Sequence, residues 1–505
     1  MIVIRIILRF FVIMAALWGM FFAWLYSQTG LRKLVRMGIL REKARPKSLP
    51  GPAESGQRVV VTGTGYFEPL ENPRIMRRAF EFLGPTYIKL GQLIASSPGL
   101  FPRRYADEFQ YCLDRVKPFQ VPQLKLKIEK ELGKPIPELF KSFEDKPLGS
   151  ASIAQVHGAV LNDGTEVVVK VQRPRIRVKV DADLFFMRIG SWFIAKLSRA
   201  AELNNVQGVV KDFDRTIHEE IDFNKEGANQ TEFNALMVKY GIEDCFAPLP
   251  IPGMVTEQVL VMSRFRGFKA DDRDSIVAAG IDPETYLRKG LRAWLMTVVL
   301  DGFFHGDAHA GNLMMLPGGA PDGKAAVGFL DFGIIGRFTN LQRHQVLRYV
   351  LAFTAGDYEQ LAAVMTEIGA VDAKIDRATL VKDLAQVYSP LIEMNLADIK
   401  YEEVLPAITS LALRYGIRLP SEFLLILKQL LFFDRYAKLM APKLNVFSDF
   451  GLVDFLFGPL AMKAGLDFNL IMPLLMKIQA KFMAKGIMPF GMGAPKAAAS
   501  SSAAS

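Results

Sequence analysis

His305-Gly306-Asp307-Ala308-His309-Ala310-Gly311-Asn312, followed by Leu330-Asp331-Phe332-Gly333, is the stretch that decides the fold. As patterns these are H-x-D-x-x-x-x-N and D-F-G. The residue types suit one chemistry. Mg²⁺ is a hard cation that takes oxygen ligands, which Asn312 and Asp331 can supply. Asp307, five residues before Asn312, can accept a hydroxyl proton or set a nucleophile in line with a γ-phosphate. A D-F-G alone recurs by chance. The two segments in this order, flanked by the apolar runs Gly302-Phe303-Phe304 and Val327 to Leu330, form a far more specific signal. The bland alternative makes Asp307 a helix cap and Asp331 a turn residue.

Working upstream, the other parts of a protein-kinase-like nucleotide site appear in order. Ser152 to Leu161 and Thr165 to Gln172 read as strands around the turn Asn162-Asp163-Gly164. Lys170 lies in Val167-Val168-Val169-Lys170-Val171, a strand of the type whose lysine grips the α- and β-phosphates. Gly149-Ser150-Ala151-Ser152 occupies the place of a phosphate-covering loop, where small side chains let backbone N–H groups approach closely. The spacing predicts one long helix over 206–238, with Glu220 or Glu226 as the glutamate that pairs with Lys170; six residues apart, they lie on different faces. Val259 to Met262 reads as the strand into a hinge, Ser263 to Gly267, whose backbone would meet an adenine. The expected class is α+β, a bilobal protein-kinase-like fold with an N-terminal helical extension, a helical C-terminal region and an N-terminal membrane helix. The divisions read from the chain are an anchor (1–30), a basic, Pro/Gly-rich linker (31–75), a helical extension (76–145), a nucleotide-binding core (146–340), a helical region (341–440), and a Met-rich amphipathic segment with a low-complexity tail (441–505).

Composition narrows the classes. A net charge of +10 permits phosphates or anionic lipid, and no nucleic-acid motif accompanies it. The two cysteines lack metal-ligand spacing and the five histidines include no H-E-x-x-H, which argues against a zinc enzyme. Phe10 to Tyr26 carries no charge; its 17 residues would span about 26 Å as a helix. Arg32, Lys33, Arg36, Arg41 and Lys43 follow, which places that side in the cytoplasm by the positive-inside bias. A retained anchor on the cytoplasmic face of the inner membrane is expected; an interfacial helix, a signal peptide and a core helix are the alternatives. Near the other end, Lys477, Lys481 and Lys485 share one face of an expected helix, either a solvated face or a basic membrane-surface face.

Leu83-Gly84-Pro85-Thr86-Tyr87-Ile88-Lys89-Leu90-Gly91-Gln92 carries a K-x-G-Q signature; Ser150 to His157, Val169 to Pro174, the Glu220/Asp222 pair and Phe303 to Asn312 complete a set of five motifs. Together they resemble the UbiB (AarF) atypical kinase-like proteins of quinone biology over roughly residues 80–340. The resemblance implies that Lys89 and Gln92 come near the nucleotide, that ATP and Mg²⁺ bind, and that the protein hydrolyses ATP more readily than it phosphorylates proteins. It also implies membrane association and support of ubiquinone biosynthesis, with membrane lipid, a quinone-like ligand and quinone-biosynthesis proteins as partners. The usual D-P-H-P-G-N is here Asp307-Ala308-His309-Ala310-Gly311-Asn312, without either proline, which bears on the rigidity of the loop. The leading expectation is a membrane-associated ATPase or phosphotransferase acting on a small or lipid substrate. A nucleotide-gated lipid-binding scaffold and a soluble small-molecule phosphotransferase are the competing ones.

Overall fold

The computed structural model describes residues 8–16, 18–20, 73–95, 103–109, 111–112, 118–197, 206–372 and 374–393, with single residues and short stretches between 407 and 484. In chain order the main elements are α1 (Pro73–Leu83), α2 (Pro85–Ala95), α3 (Arg103–Phe109), α4 (Val121–Leu132), β1 (Phe140–Ser150), β2 (Ala154–Leu161), β3 (Glu166–Gln172), α5 (Ile176–Leu197), α6 (Val206–Glu220) and α7 (Phe223–Lys239). Then follow β4 (Cys245–Phe246), β5 (Pro250–Val255), β6 (Val259–Ser263), β7 (Phe268–Lys269), α8 (Pro283–Asp301), β8 (Phe303–His305), β9 (Leu313–Leu316), β10 (Ala326–Phe329), β11 (Ile335–Arg337), α9 (Asn340–Ala355), α10 (Tyr358–Glu367), α11 (Arg377–Glu393) and α12 (Phe468–Ala484). The chain forms two compact units: residues 1–120, 147–155 and 172–218, and residues 121–146, 156–171 and 219–505.

The described residues of the first unit are mostly helical, with the end of β1 and the start of β2 added. The expected helical extension opens with two helices rather than one, because Gly84 adopts φ +93° and ends α1, while Pro85, lacking an N–H, opens α2. Phe80, Leu83, Tyr87, Ile88 and Ile94 pack with Phe109 and Cys112 in one core, which Ala16 of the N-terminal helical residues 8–16 joins. Arg9 donates to both carboxylate oxygens of the fully buried Asp183 on α5 and to the Leu83 carbonyl. Among the described residues no helix is long and apolar enough to cross a membrane; Phe21 to Tyr26 of the expected anchor lie outside them.

The second unit holds a five-stranded sheet of order β1-β2-β3-β6-β5, a four-stranded sheet β4-β10-β9-β7 and the pair β11-β8. Val167, Val169 and Val171 are fully buried on one face of β3, so the alternation puts Lys170 on the other, opposite Leu260 of β6. The Asn162-Asp163-Gly164 turn forms as expected: Gly164 takes φ +91° and Thr165 N–H donates to the Asp163 carboxylate. The single helix expected over 206–238 is two. Asp222 is extended and caps α7 through Asn224 N–H, and Phe223 N–H turns away to the Glu257 carbonyl, so the α-helical ladder cannot continue through 221–222. α8 starts on an Asp282 cap with Pro283 behind it and stops at left-handed Gly302, which releases the chain into β8 and the Asp307 loop. The lysines of α12 are not a bare solvated face. Lys477 pairs with Asp357 and Lys481 donates to the Thr354 carbonyl, while Ile471, Leu474, Leu475 and Ile478 are buried; Lys485 lies outside the described residues.

Candidate active site

The loop after β8 is held by its own side chains. His305 is buried, and burial pulls its pKa below the ordinary value. Its two partners fix a neutral tautomer: Nε2–H donates to the Leu330 carbonyl and Nδ1 accepts the Asp307 N–H. His305 thereby ties the loop to the residue before Asp331. The Asp307 carbonyl accepts from His309 N–H at 2.8 Å and from Asn312 Nδ2 at 2.9 Å. The Asn312 amide nitrogen is thus spent inside the loop, and Oδ1 is the atom that could serve a cation. Nδ1 of His309 accepts from Gly311 N–H, and its Nε2 stands 3.6 Å from the Asp307 carboxylate.

A second cluster joins β3, α7 and the D-F-G. Lys170 donates to both oxygens of Glu226, at 2.7 and 2.9 Å, and to Asp331 at 3.2 Å. Burial opposes the ammonium charge, but Asp331 and Glu226 outweigh it and hold the Lys170 pKa above its ordinary value. Glu226 is almost wholly buried, which pushes its carboxyl up to about 7 against the pull of Lys170. The choice left open by the sequence is therefore Glu226. Glu220 instead ends α6 with its Cγ against Gly333, and Asp222 is the α7 cap. Asp331 takes a left-handed φ of +41°, a conformation aspartate tolerates better than most residues, and its Oδ1 accepts from Gly333 N–H. Phe332 is fully buried between Phe233 and His305, and its carbonyl accepts from Asn229 of α7.

The other sequence-predicted positions are described by the elements that carry them. Met262 lies at the end of β6, where its sulfur accepts from Gln230. Of the predicted hinge, Ser263 N–H is spent on the Leu249 carbonyl and Arg264 N–H on the Glu166 carbonyl, so these two amides face inward rather than an adenine. Lys89, Gln92 and Gly149 to Ser152 belong to the first unit. Lys89 and Gln92 are half-buried on successive turns of α2. Gly149 and Ser150 complete β1 instead of standing in a loop; Arg173 fastens the turn by bonding the Ala151 carbonyl and Ser150 Oγ, and Ser152 is buried. Sequence reading missed His305, His309, Asn229 and Gln429. The histidines lay within the quoted motif and could have been read from it; Gln429 reaches Gly306 and Ala308 from more than 120 residues away and carries no local signal.

Comparison with known proteins adds the family. Residues 111–365 match the ABC1 atypical kinase-like domain and residues 384–445 the UbiB helical domain. This chain belongs to the UbiB family of atypical kinase-like proteins. It is 35% identical over 405 residues to an uncharacterised aarF domain-containing protein kinase of the Arabidopsis thaliana chloroplast, covering 75% of this chain and 74% of that one. It is 34% identical to an uncharacterised Mycobacterium tuberculosis protein, covering 81% and 86%, and 32% identical to a probable protein kinase UbiB of Xanthomonas oryzae pv. oryzae, covering 74% and 68%. For a UbiB-family chain the donor set fits Mg²⁺: one carboxylate (Asp331) and one amide oxygen (Asn312) suit a cation that completes its shell with phosphate and water.

Proposed function

We propose that this protein is a membrane-associated ATP-dependent enzyme, an ATPase or phosphotransferase for a small or lipid substrate, that supports ubiquinone biosynthesis. The observation that carries the catalytic part is that Lys170, Glu226, Asp307, Asn312 and Asp331 all lie in one compact unit, with the Asp307 loop and the D-F-G tied together through His305. In this reading Lys170, aligned by Glu226, binds nucleotide phosphates; Asn312 and Asp331 hold Mg²⁺, which neutralises the charge on the transferring phosphoryl group. Asp307 is the catalytic residue. Its carboxylate orients the attacking water or hydroxyl and takes its proton. The membrane part draws on the first unit, where Phe185, Ile189, Trp192, Phe193 and Leu197 leave an exposed apolar stripe along α5, with Leu8 and Phe11 also exposed. The names of the UbiB relatives support the link to ubiquinone. The Lys170–Asp331 ion pair favours a second reading, a slow nucleotide-gated scaffold, because both groups must part before either meets phosphate or metal.

The test is steady-state hydrolysis of Mg-ATP by the full chain, with and without anionic vesicles containing a quinone-like lipid, beside a generic protein substrate. Expected are turnover that vesicles stimulate, a loss of about 10²–10⁴-fold in Asp307→Asn, altered nucleotide kinetics in Lys89→Ala, and negligible protein phosphorylation. Robust phosphorylation of the generic protein with an indifferent Lys89→Ala would overturn the substrate reading; hydrolysis equal in wild type and Asp307→Asn would overturn the enzymatic one.

A further inference from the structure

The Asp307 loop has a hold that none of its own residues supplies. Gln429 is fully buried, and its amide spans the loop backbone on both sides of Asp307. Ala308 N–H donates to Gln429 Oε1 at 2.7 Å, and Gln429 Nε2–H donates to the Gly306 carbonyl. The Gly306 N–H is held in turn by the Ile334 carbonyl, and the Asp307 N–H by His305. Gln429 lies in the stretch matching the UbiB helical domain, outside the one matching the kinase-like domain. Its contact with Ala308 exists only because residue 308 is not proline: a proline there would have no N–H to give. Ala308 is itself fully buried, so that N–H must find a partner within the protein.

We propose that Gln429 is a positioning residue for the phosphoryl-transfer reaction: its side-chain amide clamps the peptide groups flanking Asp307 and fixes where the Asp307 carboxylate stands. The helical region thereby supplies the rigidity that an alanine-bearing loop lacks. A primary amide donates from its nitrogen and accepts on its oxygen at any ordinary pH, as bracketing a single residue requires. The inference rests on the catalytic reading of Asp307, and removing the clamp leaves the nucleotide-binding residues Lys170, Asn312 and Asp331 in place. The effect must then fall on kcat rather than on KM, since misplacing a reacting group by about 1 Å can cost about 10²-fold.

The experiment compares full-length wild type, Gln429→Leu and Gln429→Glu in Mg-ATP hydrolysis, together with hydrogen exchange of the peptide covering residues 304–312. Gln429→Leu is expected to lower kcat by about 10- to 100-fold with KM for ATP within about 3-fold, and to speed exchange in that peptide while peptides from β3 and α7 stay protected. Gln429→Glu adds a signature that loss of packing would not give. A buried carboxyl is pushed towards its protonated form, which alone can donate to Gly306 and accept from Ala308. Its kcat relative to wild type should therefore recover as pH falls from about 8 to about 6. Unchanged loop exchange in Gln429→Leu, or a kcat within twofold of wild type, overturns the proposal. So does a uniform rise in exchange across the second unit with kcat and affinity lost together, which marks a merely structural residue. A wild type without turnover would sink the enzymatic reading alone, and loop exchange would still decide whether the clamp exists.

Discussion

Replacing Glu226 with glutamine tests the pairing that the helix break decides. Wild-type Glu226 receives the Lys170 ammonium on both oxygens, at 2.7 and 2.9 Å, with the glutamate side chain 1% exposed and the lysine 13%. Removing one partner of a buried pair costs about 3–5 kcal/mol, because the other charge stays buried without compensation. Here Asp331 remains 3.2 Å from Lys170, and it is far more exposed, so it compensates in part. The expected loss in Glu226→Gln is therefore about 2–3 kcal/mol, below the full range for an orphaned buried charge. Urea unfolding at pH 7.5 measures it: the midpoint should fall while the m-value holds, since the surface exposed on unfolding is unchanged. Glu220→Gln is the control. Lys170 donates to Glu226 and Asp331, so Glu220→Gln removes no partner of Lys170 and should cost less than Glu226→Gln. Equal destabilisation by the two variants, or none in Glu226→Gln, would refute the assignment of Glu226 as the partner of Lys170.

Two further outcomes follow from buried charge. The pKa of His305 is held below its ordinary value in the folded state, so the unfolded chain binds the extra proton first. Its contribution to stability is therefore intact above about pH 6.5 and falls as pH drops through that ordinary value; calorimetry between pH 7.5 and 5.5 should show a steeper loss in wild type than in His305→Asn, and parallel curves would count against the neutral tautomer. Arg9→Ala leaves the Asp183 carboxylate buried without its guanidinium partner. It should lower stability by about 3 kcal/mol or more, with Asp183→Asn restoring part of the loss in the double variant; an unperturbed melting temperature in Arg9→Ala would show that the N-terminal segment does not dock on α5.

The site was legible where its chemistry is local in sequence. Asp307, Asn312 and Asp331 stand in two short segments whose spacing follows from what phosphate and metal need, and Lys170 is marked by a strand pattern that buries alternate valines. Legibility failed where the outcome depends on a partner distant in the chain. Glu220 and Glu226 were equivalent by periodicity, and the Asp222 cap with Phe223 N–H diverted to Glu257 broke the helix that would have carried both. Lys477 of α12 is exposed as the periodicity suggested, but its pairing with Asp357 and that of Lys481 with the Thr354 carbonyl were hidden because those partners are over 100 residues away. Arg9 looked like a flank of an apolar anchor; its fully buried partner, Asp183, lies 174 residues on.

The central claim, that Asp331 and Asn312 present Mg-ATP to Asp307, is tested most directly by nucleotide-induced stabilisation of wild type and Asp331→Asn. A ligand that binds only the folded chain stabilises it by about 2.7 kcal/mol at 100 times its Kd. Wild type should gain stability with ATP and Mg²⁺ together and much less with ATP and EDTA, while Asp331→Asn, folded but with a lower baseline melting temperature because Lys170 loses one of its carboxylate partners, should lose the Mg²⁺-dependent part. Equal stabilisation of the two proteins by Mg-ATP would contradict the claim.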